Sequence, residues 1–210
     1  MLSDTTNVSH VAKRSSGTTT ARGQARREAL VDVALRAFAV HGYRGASIGA
    51  IAREAGISEA GLLHHFPSKR TLLFGVLEHL SAMFRQTDER LAPKARSFCD
   101  ALVSLARFHE ADPTLVRLFV VLSAESVNPE HPAHEYFTGW YETLRASVAA
   151  GFASDQDNGF VVPEADPVLM ARVVISVLDG LRLQFLLFDG DLRIAEPLET
   201  FLDTLRSTTR

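Results

Sequence analysis

The sequence predicts an all-α protein of about nine helices, and three observations predict it. From about Gln24 onward the apolar residues recur at spacings of three and four. No segment sustains the apolar–polar alternation of a strand. Glycine and proline breaks fall at the intervals that a set of short and medium helices needs. The chain has 210 residues, 46% of them apolar, enough for one sizeable core.

Residues 1–21 are rich in Ser, Thr and Gly, carry almost no large apolar side chain, and read as a disordered basic arm. The first helix opens near Gln24, with Leu30, Val33, Ala34, Ala37 and Phe38 on one face and Gly42 at its C-terminal position. Ser47 is an N-cap residue, and Ile48, Ile51, Ala52 and Ala55 after it share one helical face. Gly56 ends this second helix, because glycine takes the left-handed backbone of a sharp turn without a steric penalty. Ile57 turns inward and Ser58 caps a short third helix. There Leu62 and Phe66 face the core, while Ala60, Gly61, Leu63 and His64 fall on the outer arc. Pro67-Ser68 stops it. The remaining helices are expected at 68–91, 96–110, 114–127, 132–152, 166–188 and 194–207. Their breaks are Pro93, Asp112-Pro113, Asn128-Pro129, a loop at 154–167 and Asp189-Gly190.

Charge divides the chain. Residues 1–75 carry a net +5 and residues 76–210 a net −8, within an overall −3. A basic head on an acidic body implies a polyanionic partner for the head alone. No run of 18 apolar residues offers a membrane span, and the first 27 residues lack the apolar stretch of a secretory leader. The single cysteine, Cys99, cannot form an internal disulfide and fits a reducing compartment. A cytoplasmic protein with no membrane partner is expected.

Two short helices joined by a tight glycine turn, within a basic head, form a helix-turn-helix. Residues 26–77 resemble the DNA-binding domain of the TetR family of bacterial transcriptional regulators. The likeness rests on "A…F…HGY" of the first helix, the Ser47 cap, "IA…AGIS" and "HFPSK" followed by leucines, all in order and register. It implies three divisions: a basic arm (1–21), a three-helix DNA-binding domain (22–75), and a helical effector-binding and dimerisation domain (76–210). It makes 58–65 the recognition helix, with Ser47, Ile48 and Gly49 beside phosphates, Glu59, Ala60, Gly61 and His64 at bases, and His65 and Lys69 at phosphates. Lys69 sits at a helix N-terminus, where the dipole reinforces attraction for an anion. Where the family usually has tyrosine this chain has Leu63, which trades a phosphate hydrogen bond for an apolar contact such as a thymine methyl. The reading face lacks arginine, so affinity leans on Arg44, Lys69, the arm's Lys13, Arg14 and Arg22, and Arg26 and Arg27 near the start of the first helix.

The resemblance also implies a ligand-responsive homodimeric regulator, most simply a repressor released from a palindromic double-stranded DNA operator by a small-molecule effector. For an effector pocket the middle helices supply Met83, Phe84, Phe108, His109, Phe119, Phe137, Trp140 and Tyr141, with Arg117 and Glu125 nearby; about a third of these are expected to line a cavity and the rest to be core. Residues 168–188 are apolar on more than one face, and with 194–207 are read as the dimer interface, through Val177, Leu181, Phe185 and Phe201; a fully internal helix is the alternative.

Other candidates carry less. Adjacent His64 and His65 project about 100° apart on a helix and do not converge on one ion. His131 and His134 have zinc-compatible spacing but stand at a proline-broken helix start, where a solvated cap is expected. Cys99 reads as buried filler, and Asp155 and Asp157 as solvated loop residues. With no phosphate loop, nucleophile elbow or HExxH, no catalytic residue, metal or cofactor is assigned. A helical enzyme or metal-dependent protein with a basic head is the alternative reading.

Overall fold

A computed structural model describes the backbone of residues 16–206. Among these, nine α-helices follow one another: α1 (Ser16–Gly45), α2 (Ile48–Glu54), α3 (Glu59–His65), α4 (Lys69–Leu91), α5 (Phe98–Glu110), α6 (Pro113–Glu125), α7 (His134–Asp157), α8 (Pro167–Leu187) and α9 (Ala195–Asp203). A single 3₁₀ turn, Ala92–Lys94, separates α4 from α5 where Pro93 removes a backbone donor. The expected all-α class holds. Arm residues Lys13 and Arg14 lie outside the described residues.

Three boundaries differ from expectation, one being the last helix, which ends at Asp203 and not at 207. The backbone of residues 16–21 is helical and continues into α1; the helix formers Ala21, Arg22, Gln24, Ala25, Arg26 and Arg27 propagate the helix backward past the expected end of the arm. The third difference lies at the end of α7, which continues to Asp157 instead of giving way at 154. Asp155 is buried, not solvated: its carboxylate accepts from the backbone N–H of Phe98 (2.8 Å) and of Cys99 (3.0 Å). These are unpaired donors at the first turn of α5, and a buried anion there satisfies both. The same carboxylate, after burial itself, pushes the Cys99 thiol up to about 12.

Capping serine side chains start the early helices as the sequence implies. Ser47 Oγ accepts from Ala50 N, Ser58 Oγ from Gly61 N, and Ser68 forms a reciprocal box with Thr71. Gly42 at φ 66° breaks the run of α1, and Gly56 at φ 68° makes the turn between α2 and α3.

The core has two parts. The first joins Leu30, Ala34 and Phe38 of α1, Ile51 of α2, Leu62 of α3, Leu72 and Val76 of α4, and Leu118 and Leu122 of α6. The helix-turn-helix is therefore not a closed unit ending at residue 75, because α1 packs along α6 and shares its core. The second part is built from α5, α7, α8 and α9 around Cys99, Val103, Phe152, Ala171, Val174 and Leu198. The helix α4 spans about 34 Å at 1.5 Å per residue over its 23 residues and reaches from the first part to the second.

Candidate nucleic-acid interface and body cavity

The helices α2 and α3 present one continuous outer surface. Leu62 and Phe66 are sealed in the core, while Glu59, Ala60, Leu63 and His64 are exposed and Gly61 and His65 half-exposed. Ser47 is exposed too, and Ile48 and Gly49 are half-buried at the opening of α2. Glu59 leans back toward Gly49: a methyl group added there would lie 3.0 Å from Oε2 of Glu59. The Glu59 carboxylate at the start of α3 thus lies beside the first turn of α2. The His64 and His65 rings meet edge-to-face with centroids 5.6 Å apart and do not converge on a point.

The basic residues are tied down. Lys69 Nζ donates to the carbonyl of Arg44 (3.1 Å) and lies 4.8 Å from the centre of the Tyr43 ring. Burial lowers its pKa, and Glu125 partly opposes that. Arg27 stacks on Phe66 at 4.6 Å, and Arg26 reaches the carbonyl of Ala55 at the end of α2 at 3.5 Å. Arg44 and Arg22 are exposed.

Behind this surface is a polar junction that the sequence did not reveal. Glu125, the last residue of α6, accepts from Tyr43 N at 2.7 Å and stands 3.7 Å from His131 Nε2. Gly42 permits that approach, since a methyl group on it would overlap the Glu125 carboxylate. His131 is buried, not a solvated cap: Nδ1 meets Ser126 Oγ at 3.0 Å and the N–H of Ala133 at 3.2 Å, and Tyr43 packs edge-on against its ring. Glu125, expected near the pocket, belongs to this junction instead, and Arg117 is exposed.

The body holds a partly open cavity of about 520 Å³ between α4, α5, α7 and α8. Of the proposed pocket residues Phe84, His109 and Trp140 line it. The other five do not. Phe119 and Phe137 are core side chains behind the wall, and Phe119 packs on Trp140 at 4.7 Å. Tyr141 donates to Asp179 Oδ2 at 2.9 Å. Phe108 lies under the Arg90 guanidinium, 5.3 Å away. Met83 faces a separate groove of about 290 Å³ beside Asp32 and His79. Sequence reasoning missed Arg182, which is buried on α8 at the cavity wall, and Ser81, Arg85 and Asp88 on α4. Asp179 and Arg182, opposite charges three residues apart inside the apolar run 168–188, were the available signal, because a buried charge requires a partner.

One residue of the expected dimer face is buried within the subunit itself. Phe185 is 3% exposed and points into its own core, together with Ala171, Val174 and Leu178. Val177, Leu181 and Phe201 are half-buried against the same core. The exposed apolar residues of α8 are Val168, Leu169, Val173, Leu183 and Leu187. A helix apolar nearly all round leaves its phase open in sequence; packing against α7 fixes it.

Comparison with known proteins agrees with this arrangement. Residues 30–76 match the model for bacterial regulatory proteins of the tetR family. The chain is 25% identical to the A-factor receptor protein of Streptomyces griseus across 73% of its own length and 52% of that protein, so it spans about half of that relative. It is 27% identical to the HTH-type transcriptional regulator BetI of Agrobacterium fabrum across 81% of both chains. A crystal structure of a TetR transcriptional regulator from Chloroflexus aurantiacus has the same fold, with a TM-score of 0.78 at 22% identity, covering 90% of this chain and 100% of that one. The matched segment covers the capped helix pair and the start of α4, and there the chain resembles the bacterial regulatory proteins of the tetR family.

Proposed function

We propose that this chain acts as a cytoplasmic homodimer that binds a palindromic DNA operator and releases it when a small molecule enters the body cavity. One observation carries the reading: the exposed face of α3 is held by the same core as α4 and α6, and α4 forms one wall of the cavity. In this reading Ala60, Leu63 and His64 meet base edges. Ser47, His65, Lys69 and Arg44 meet phosphates, and the helix starts of α2 and α3 supply further N–H donors. Leu169, Val173, Leu183 and Leu187 of α8 cover the partner helix, because exposed apolar side chains at this density call for burial.

Two rods couple cavity and head. The helix α4 carries Phe84 at the cavity and Lys69 at the head. The helix α6 carries Phe119, which backs the cavity wall, and Glu125, which holds the backbone of Tyr43. A ligand that favours one tilt of these rods shifts the spacing of the two recognition helices. By linkage, DNA then weakens ligand binding by the same factor that ligand weakens DNA binding. The relatives named above are regulators rather than enzymes, and no catalytic role is proposed.

The test is a salt-titrated gel shift on operator fragments selected from genomic DNA. Lys69→Ala should weaken all sequences alike and flatten the salt dependence, and His64→Ala should change base preference by about 1–3 kcal/mol at one or two positions. The reverse pattern overturns the assigned face. Leu183→Glu should yield monomers by sedimentation and abolish operator binding; a native protein that sediments as a monomer overturns the dimer.

A further inference from the structure

The cavity has a chemical preference written into its polar wall. His109 of α5 and Arg182 of α8 both line it and are 5% and 7% exposed. Arg182 Nη2 lies 3.4 Å from His109 Nδ1. A guanidinium only donates, so Nδ1 accepts and the ring proton sits on Nε2. Burial and then the Arg182 charge push the His109 pKa down to about 3, so the ring is neutral at physiological pH. Its Nε2–H is a buried donor without a partner among the described residues. Such a group costs free energy unless something accepts from it.

The charges nearby are already balanced. Arg182 Nη1 donates to Asp179 Oδ1 at 3.1 Å, and Tyr141 Oη donates to Asp179 Oδ2 at 2.9 Å. Both oxygens of that carboxylate are engaged, leaving donors, the Nε2–H and the remaining guanidinium N–H groups, as what this wall has to offer. A ligand carboxylate would make a second anion beside one guanidinium, a buried excess charge. A ligand cation would face the guanidinium directly. An uncharged acceptor meets neither obstacle. The other buried lining residues, Leu102, Val148, Ile175 and Leu178, are apolar, the charged Arg85 and Asp88 of α4 are exposed to solvent, and about 520 Å³ falls within the range of about 300–1,000 Å³ of small-molecule sites.

We infer that the body cavity selects an uncharged, mainly apolar small molecule whose carbonyl oxygen accepts a hydrogen bond from His109 Nε2. This rests on the proposed role of the cavity as the effector site and adds the chemical class of the effector.

Trp140, the sole tryptophan, lines the cavity and reports occupancy directly. The full chain is titrated with 2-decanone, decanoate and decyltrimethylammonium, each below its micelle concentration, while Trp140 emission is followed. The ketone should give a saturable change and bind about tenfold more tightly than either ion, the size of effect one buried hydrogen bond supports. His109→Phe keeps an aromatic ring against Phe84 and should lower ketone affinity about tenfold, whereas His109→Gln, which retains a donor, should stay within about threefold of wild type. No saturable response to the ketone, tighter binding of either ion, or unchanged ketone affinity in a folded His109→Phe variant overturns the inference. If that variant does not fold, the ranking of the three probes on the native protein decides. Operator release is recorded in the same samples. Ketone binding without release defeats the regulatory reading and leaves the ligand class standing; release by the ions in preference to the ketone defeats the ligand class alone.

Discussion

Around Phe66 the molecule is filled; around Phe84 it is hollow. In the head, Phe66 is 1% exposed, and a methyl group on Gly75 would lie 2.9 Å from its ring. At the cavity the corresponding glycine is Gly139, where a methyl group would meet nothing within 4 Å. Both regions draw their apolar lining from Phe, Leu and Val on helices, so those residue types do not explain the difference. Packing does. A filled core holds the α2–α3 surface in one shape, as a reader of DNA requires, because close-packed interiors do not deform continuously. A hollow one, in the function proposed above, lets a ligand choose among helix positions. The helices α4 and α6 belong to both regions, which makes them the parts through which one can act on the other.

The largest effect that can break this comparison is on stability. Phe66→Ala should cost about 4 kcal/mol, since it opens a void in a filled core, whereas Phe84→Ala, which only enlarges an existing cavity, should cost about 2 kcal/mol. Urea unfolding followed by circular dichroism, at one protein concentration because a dimer's stability depends on it, measures both. Equal losses would show that the two regions are packed alike.

A glycine pair sharpens the same contrast with opposite signs. Gly42→Ala places a side chain at φ 66° and against the Glu125 carboxylate, and should destabilise by about 2 kcal/mol. Gly139→Ala lies mid-helix with open space around it and should stabilise by about 0.5–1 kcal/mol. A loss at Gly139 would mean that the cavity mouth is closed more tightly than its geometry shows.

The smallest effect is a slope with pH. His109 titrates near 3 when folded and near 6.5 when unfolded, so between these values the unfolded chain binds the extra proton. Stability contributed by the neutral ring is therefore complete above about 6.5 and declines as pH falls toward 3, by at most about 1.4 kcal/mol per pH unit. His131, whose pKa is lowered first by burial, adds in the same direction from the head. Replacing His109 with Phe should flatten the slope by its share; an unchanged slope would place the loss of acid stability elsewhere.

The helix-turn-helix could be read from the chain because its determinants are local. Ser47, Ser58 and Ser68 each accept from an N–H three residues on, Gly56 makes its turn alone, and Leu62 and Phe66 sit four apart on one face. Spacing along the sequence is then spacing in space. The cavity and the junction have no such local sign. His109 and Arg182 meet across 73 positions, Tyr43 and Glu125 across 82, and Phe98 and Asp155 across 57. Phe119 and Phe137 look like pocket residues in sequence and are core, while Arg85 and Asp88 look like surface residues and line the cavity.

By itself, the sequence determined that the chain is helical, where most of its helices begin and end, and that its N-terminal part carries a capped helix pair fit to enter a DNA groove. The tertiary structure alone decided which apolar face of α8 turns inward, that Asp155 caps a distant helix instead of meeting water, and which few side chains surround open space. The physical reason is that periodicity fixes which residues share a helix face, but only packing against another helix decides what that face touches.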